Sequence, residues 1–279
     1  MRVEFKPSKN LDAAMQVAEA LDKAGYEVVF AGGCVRDALL GLDCKDYDLA
    51  TNAQPEQVEF VCEQVGLKTR MVGAHFGVVL AMIKDQSIEI ATFREDGNYA
   101  DGRHPDKVYY TNAKEDAKRR DFTINGMFAN PFTLEVTDYV GGLGDLEKGI
   151  VRAIGHAEDR FKEDGLRLLR AVRFAVQLGF KIEEQTKLAM MQQIGGLQKI
   201  SAERIQSEFS KVLMSNRPHQ GVSMLADLGF FNYFFTEVLE LKGCEQPAEF
   251  HPEGDVFEHT MLMLDLIQPD FSLELRLAI

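Results

Sequence analysis

The sequence is short of three things: cysteine, long hydrophobic runs and basic charge. Its four cysteines, Cys34, Cys44, Cys62 and Cys244, are scattered over 279 residues without a C-x-x-C pair. That spacing suits reduced thiols in a cytoplasm better than a disulfide framework. No stretch approaches the roughly 18 consecutive apolar residues of a membrane-spanning helix. Met1 to Asn10 has neither the apolar run nor the small residues of a signal peptide. A soluble, cytoplasmic protein without a membrane partner is expected. Lysine and arginine number 31 against 44 aspartates and glutamates, a net charge of −13, and an acidic protein is a poor general binder of nucleic acid. The shortage is uneven. Residues 1–150 hold 17 basic against 25 acidic residues and 221–279 hold 2 against 11, whereas 151–220 hold 12 against 8. Lys114, Lys118, Arg119 and Arg120 form a smaller basic cluster. A solvated helical surface has the same look, so charge alone does not decide for RNA.

What is present is ordinary in amount, 46% hydrophobic and 27% charged residues, and the length suffices for two domains. Residues 11–24 are helix-forming and stop at Gly25. EVVFAGG reads as a buried strand entering a glycine turn, and VRDALLG as a helix ended by Gly41. Asp46–Ala50 predicts a second short strand, and 55–66 a helix with proline in its first turn. Gly77–Lys84 and Ser87–Phe93 are β-branched runs that predict a hairpin about Asp85-Gln86. Residues 94–107 contain almost nothing apolar and read as a mobile surface loop. Strand-like runs follow at 122–129 and 133–140, then a glycine turn at 141–144. Beyond about residue 156 the spacing is helical, over 157–178, 183–193, 201–214 and 217–228. The expectation is an α+β head over 1–150, an all-α neck over 151–225, and a helical body over 226–279. FSLELRLAI has no polar or glycine stop after it, which predicts that the sequence is part of a longer chain.

Asp46 and Asp48 lie two apart on the expected strand, so both project from one face. Paired carboxylates repel unless a cation neutralises them, and all-oxygen pairs suit magnesium. Upstream, Gly32-Gly33 opens a strand-to-helix turn whose amides can cradle a triphosphate. Arg36 and Asp37 sit in the first turn of that helix. Glu89 alternates with Ile88 and Ile90, so it points away from their buried face and can join the two aspartates as a third carboxylate. Each part alone has a plain reading: an Asp-x-Asp is usually a turn feature, a Gly-Gly only a turn, and a strand Glu solvent-facing. The combination is more specific.

AGGCVRDALLGLDCKDYDLAT resembles the signature of the bacterial-type (class II) tRNA CCA-adding enzymes and the related bacterial poly(A) polymerases, members of the polymerase-β-like nucleotidyltransferase superfamily. Gly32, Gly33, Val35, Arg36, Asp37, Asp46 and Asp48 match its pattern. The resemblance continues through RRDFTINGM (Arg119, Arg120, Asp121, Thr123, Asn125), the Asp138–Leu146 turn, EDGLRLLRAVRFA (Glu163 to Ala175, with Arg170) and SAERIQSE (Ser201 to Glu208). It implies a polymerase-β-like head followed by an all-α neck and body, and the activity of a template-independent nucleotidyltransferase adding C and A to the 3′ end of tRNA from CTP and ATP. Asp46 and Asp48 would hold two Mg²⁺ ions with Glu89 in support, one activating the RNA 3′-hydroxyl and one holding the β- and γ-phosphates. Arg120 and Asp121 would contact the sugar and triphosphate, with Asn125 nearby.

In the same family the Glu163-Asp164-x-x-Arg167 motif selects the base. Asp164 and Arg167 at i and i+3 would share one helix face. A carboxylate accepting from an amino group beside a guanidinium donating to an acceptor fits cytosine and adenine, while uracil and guanine reverse that edge. Each buried charged group left unpaired costs roughly 1–3 kcal/mol. Read without the family, the same pair is an ordinary surface ion pair worth about 0.2–0.5 kcal/mol. The family usually has proline where this chain has Gly165, which predicts a looser helix start. Arg94, Asp101, Arg103, His104 and Pro105 resemble the family's element for switching from C to A addition, which favours full CCA addition over CC-only or A-only products. HPEGDVFEHT (His251 to Thr260) resembles the opening of an HD-type phosphohydrolase domain, but two histidines are too few for a site, and no metal is assigned to them. Poly(A) polymerase shares every motif quoted. An inactive RNA-binding module is disfavoured, because Asp46, Asp48 and Arg120 are retained together. A phosphohydrolase is disfavoured because the HD-type lead-in stops short of its His-Asp dyad.

Overall fold

The computed structural model describes residues 1–72, 77–97, 99, 105–247 and 249–279. The chain divides into two compact units, the first running to Lys148 and the second from Gly149 to Ile279. The first is α+β and the second almost entirely helical.

In the first unit, α1 (Lys9–Lys23) starts where the Ser8 hydroxyl accepts the Leu11 amide at 3.1 Å. It buries Ala13, Ala14, Val17, Ala18 and Leu21, one face at helical spacing. The chain then forms β1 (Val28–Ala31), α2 (Gly33–Leu39), β2 (Leu49–Thr51) and α3 (Pro55–Gln64). Next come β3 (Lys68–Met71), β4 (Val78–Ile83) and β5 (Gln86–Thr92), then the short strands β6 (Arg94–Asp96) and β7 (Val108–Tyr110). The unit closes with α4 (Ala113–Arg119), β8 (Met127–Ala129), β9 (Val136–Asp138) and α5 (Gly142–Lys148).

Seven strands make one mixed sheet in the order β3-β4-β5-β2-β1-β8-β9. β4 and β5 form the expected hairpin, antiparallel from Val78↔Ala91 to Ile83↔Gln86. β2 and β5 run parallel in the register Leu49↔Ile90, Ala50↔Ala91 and Thr51↔Thr92. β1 pairs antiparallel with β2, Phe30 opposite Leu49. A small core of Ala31, Ala50, Phe93, Ala113, Ala117 and Phe128 packs on this central part. Burial of each large aromatic there contributes about 1.5–3 kcal/mol.

Two local expectations are corrected. The strand expected at Asp46–Ala50 begins only at Leu49, so Asp46 and Asp48 precede it, although the Asp48 carbonyl still accepts the Ala31 amide at 3.0 Å. The strand expected over 122–129 opens instead with a 3₁₀ turn, Thr123–Asn125. Its polar side chains draw the backbone out of the ladder: the Thr123 hydroxyl donates to Asp145 at 2.7 Å, and the Asn125 amide to Asp121 at 3.1 Å.

The second unit begins with β10 (Ile150–Val151) and α6 (Ala157–Glu163), then α7 (Leu166–Leu178), β11 (Lys181–Ile182) and α8 (Glu184–Gln193). After a 3₁₀ segment, Ile194–Lys199, come α9 (Ala202–Leu213), α10 (Pro218–Asp227), α11 (Glu237–Glu240), α12 (Val256–Asp265) and α13 (Leu273–Ala278). α7 buries Leu168, Leu169, Val172, Ala175 and Val176 and packs against α9 and α10. The single helix expected over 157–178 is broken at Asp164-Gly165. No described helix is long and apolar enough to cross a membrane, and all four cysteines are unpaired.

Candidate active site

The parallel register of β2 and β5 brings the expected carboxylates together. Leu49 stands beside Ile90, so one step back along each strand sets Asp48 beside Glu89. Both side chains are exposed, while the flanking Tyr47, Leu49, Ile88 and Ile90 are buried. Tyr47 is the anchor of this arrangement. Its ring packs edge-on against Phe30 at 5.6 Å and Phe5 at 5.8 Å, which turns Asp46 and Asp48 outward on either side of it.

The electrostatics follow from this placement. The Asp48 carboxyl is pushed up to about 6, first by the protein packed around it, then by the negative charge of Glu89, with Asp46 adding a little and Arg120 opposing. Its surface is open to solvent, yet protein surrounds it on most sides. The neighbouring Cys34 thiol, fully buried, is pushed up to about 12. The set is all oxygen and anionic, a chemistry that suits a hard divalent cation such as Mg²⁺.

Gly32 closes the other side of the site. It caps α2 with φ 73°, a left-handed conformation that favours glycine, and a side chain there would meet the Arg120 guanidinium at 3.2 Å. Its amide donates to the Met127 carbonyl at 3.2 Å, so it is spent on the sheet and not offered to a phosphate. Gly33 begins α2 behind it.

Arg36, Asp121 and Asn125, expected at the nucleotide, form a buried network with one another. Arg36 Nη1 donates to Asn125 at 2.6 Å, its Nε donates to Asp37 at 2.8 Å, and Asn125 in turn donates to Asp121. All three are less than a tenth exposed. They brace α2 against the 3₁₀ turn, and the motif pattern gave no sign of that because ligand contact and internal bracing use the same residues. Arg120 is different. It is partly open, its Nε and Nη2 donate to one oxygen of Asp116 at 3.1 and 3.0 Å, and its guanidinium lies 5.0 Å over the Phe128 ring.

In the second unit the expected base-selecting residues are found at the helix break. Asp164 is extended (φ −144°) and ends α6, so it does not share a helix face with Arg167. Its Oδ1 accepts the Leu166 amide at 3.0 Å and its Oδ2 accepts from Arg204 at 2.9 Å. Arg167 donates to Glu163 at 2.6 Å and to the Arg160 carbonyl at 3.1 Å, and Glu163 also pairs with Arg160. Arg170 lies 5.2 Å over Phe174. Gly165 does not loosen the start of α7: it is buried, and a Cβ there would sit 2.9 Å from the Gly196 carbonyl oxygen. Arg204 lies in the SAERIQSE motif, but its pairing with Asp164 escaped the sequence reading because forty positions separate the two and no periodicity links them.

Of the residues expected to switch C to A addition, Arg94 is bonded to Asp96 at 2.8 Å at the base of the β6/β7 pair, and Pro105 is buried. Asp101, Arg103 and His104 lie outside the described residues. Of the loop expected over 94–107, Arg94–Asp96 is instead a strand, paired antiparallel with Val108–Tyr110 just beyond it. Near the end of the chain His251, Glu253 and His259 place three potential ligand atoms within 4.8 Å of one another.

A family model described as the poly A polymerase head domain matches residues 28–152, and one described as a probable RNA and SrmB-binding site of polymerase A matches 179–241. A CCA-adding enzyme of Lactiplantibacillus plantarum is 44% identical over 222 residues, 79% of this chain and 53% of its own length. That of Enterococcus faecalis is 41% identical over 234 residues, 84% of this chain and 56% of its own. The chain thus spans about half the length of the curated relatives it matches. The structure of Bacillus stearothermophilus CCA-adding enzyme in complex with CTP is similar at a TM-score of 0.72 and 35% identity, over 81% of this chain and 54% of that one.

Proposed function

This chain belongs to the poly A polymerase head-domain family that includes the CCA-adding enzymes, and from that membership we propose that it is the nucleotidyltransferase part of a tRNA CCA-adding enzyme. It would add C and A to a tRNA 3′ end from CTP and ATP. The observation that carries the reading is the Asp46–Asp48–Glu89 cluster at the open end of the parallel β2/β5 pair, with Arg120 as its nearby cation.

Asp46 and Asp48 would hold two Mg²⁺ ions, with Glu89 supporting Asp48. Bound Mg²⁺ supplies charge neutralisation and acidifies the RNA 3′-hydroxyl. The protein's own share is positioning. Arg120 presents a guanidinium edge to the triphosphate and offsets its charge, and the braced Arg36–Asn125–Asp121 network keeps Gly32 and α2 in place beneath it. Asp164 and Arg167 select the base, exchanging their present partners Arg204 and Glu163 for a base edge. The basic 151–220 segment contacts the RNA backbone.

Incubation with Mg²⁺, a tRNA lacking its 3′ end and each nucleoside triphosphate tests this. Incorporation of C and then A, stopping at CCA, is expected. Run-on A addition would replace the reading by a poly(A) polymerase, and no incorporation by this chain or its full-length form would overturn it.

A further inference from the structure

We infer that Asp116 is a positioning residue for nucleotide binding: it fixes the Arg120 guanidinium so that one nitrogen is left free for an anionic phosphate. The inference rests on the reading of Arg120 as a triphosphate contact.

Asp116 is 1% exposed and sits on α4, one turn before two consecutive arginines. A buried carboxylate costs several kcal/mol in desolvation unless it is paired and fully hydrogen-bonded. Here burial alone would raise its pKa, but Arg120 and Arg119 hold it below the usual carboxylate range. Its two oxygens have separate tasks. Oδ1 accepts from Arg119 Nε at 2.8 Å and from the Arg94 amide, at the start of β6, at 3.2 Å. Oδ2 accepts from Arg120 through Nε and Nη2. A carboxylate is a rigid plane, so clamping Oδ1 to the β6 backbone and to Arg119 fixes where Oδ2 points. That in turn fixes the Arg120 plane, whose face is held over Phe128.

The clamp is itself held. Arg119 Nε also donates to the Arg94 carbonyl at 3.1 Å, and Asp96, whose side chain is 4% exposed, pairs with Arg94 Nε at 2.8 Å and accepts the Tyr99 hydroxyl at 2.6 Å. With Nε and Nη2 committed, Arg120 retains Nη1, which among the described residues has no hydrogen-bond partner and lies beside Gly32. Arg120 is also close enough to Asp48 to lower its pKa. An unpartnered guanidinium nitrogen, aimed at the glycine turn next to a carboxylate cluster, is the geometry for a phosphate oxygen of a metal-bound nucleoside triphosphate.

Calorimetric titration of the chain with CTP in Mg²⁺ tests this, because affinity and active fraction are read separately. Arg120→Ala is expected to weaken CTP binding about tenfold or more, as loss of a charged hydrogen bond does. Asp116→Asn keeps the shape but sets an amide donor against a guanidinium, and is expected to weaken binding about five- to tenfold at unchanged stoichiometry. Combined with Arg120→Ala, it should add nothing. If Asp116→Asn does not fold, Asp116→Glu keeps the charge, displaces the oxygens by one methylene, and is expected to weaken binding likewise. A purely structural Asp116 would lower the stoichiometry and leave the dissociation constant alone, which overturns the inference, as would effects of the two substitutions that multiply. An unchanged dissociation constant for Arg120→Ala would overturn instead the reading of Arg120 on which it rests.

Discussion

The two units use charge in opposite ways. In the first, the parallel register of β2 and β5 places Asp48 and Glu89 side by side with too little positive charge between them, and the Asp48 carboxyl responds by rising to about 6. In the second, Asp164, Arg167, Glu163 and Arg204 are already matched, each carboxylate with an arginine. An unbalanced cluster is a place for a cation, since binding relieves repulsion already built in. A balanced cluster is a place for exchange: a ligand replaces a partner and gains only the difference, which is how a site becomes selective more than tight.

The largest effect should come from breaking the unbalanced side. Asp48→Ala is expected to reduce C incorporation into truncated tRNA by at least about a thousandfold, in single-turnover assays, through lost metal-held transition-state stabilisation; retained activity would remove the metal site. In the second unit Gly165→Ala forces a methyl group to within 2.9 Å of the Gly196 carbonyl oxygen. A loss of about 1–3 kcal/mol in thermal denaturation is expected from such overpacking, and an unchanged melting temperature would mean the 3₁₀ segment yields freely. Arg167→Ala should blunt discrimination between CTP and UTP about tenfold in incorporation assays, and unchanged selectivity would leave the Glu163 pair as structure only.

The smallest effect concerns pH. The Asp48 pKa is raised in the folded protein, so its contribution to stability is complete below about pH 4 and is lost as pH rises through about 6. At neutral pH, without metal, the group is therefore mildly destabilising, by less than about 1 kcal/mol because it is open to solvent. Asp48→Asn should raise the melting temperature of metal-free protein at pH 7 by a few degrees or less and have no such effect at pH 4. A rise at both pH values would assign the gain to something other than charge. The two Asp48 substitutions together separate the function of the carboxylate from its cost.

Legibility differed from one cluster to the next. Glu89 was placed correctly by simple alternation with Ile88 and Ile90, and Asp46 and Asp48 by theirs around Tyr47, because the two-residue period of extended chain holds even just outside a strand. The α4 cluster was half legible: Asp116, Arg119 and Arg120 stand at i, i+3 and i+4, but the spacing does not say that the carboxylate is buried or that β6 joins it. Asp164 and Arg167 misled, since their spacing is helical but the helix is broken between them: Asp164 is extended, and Gly165 resumes a right-handed conformation in close contact with Gly196. Arg36, Asp121 and Asn125 match the nucleotide motif and yet bond to one another, a distinction that spacing cannot carry.

The sequence by itself determined the local periods: where helices and strands run, which faces are apolar, and that an acidic pair follows a glycine turn. These depend on neighbours within a few positions, whose steric and hydrogen-bonding preferences are set by the residues themselves. Only the tertiary structure decided what the charges do. Whether a carboxylate is left unbalanced like Asp48, clamped like Asp116 or matched like Asp164 depends on groups tens of residues away, Glu89, Arg94 and Arg204 among them, and on how much water the packing leaves between them.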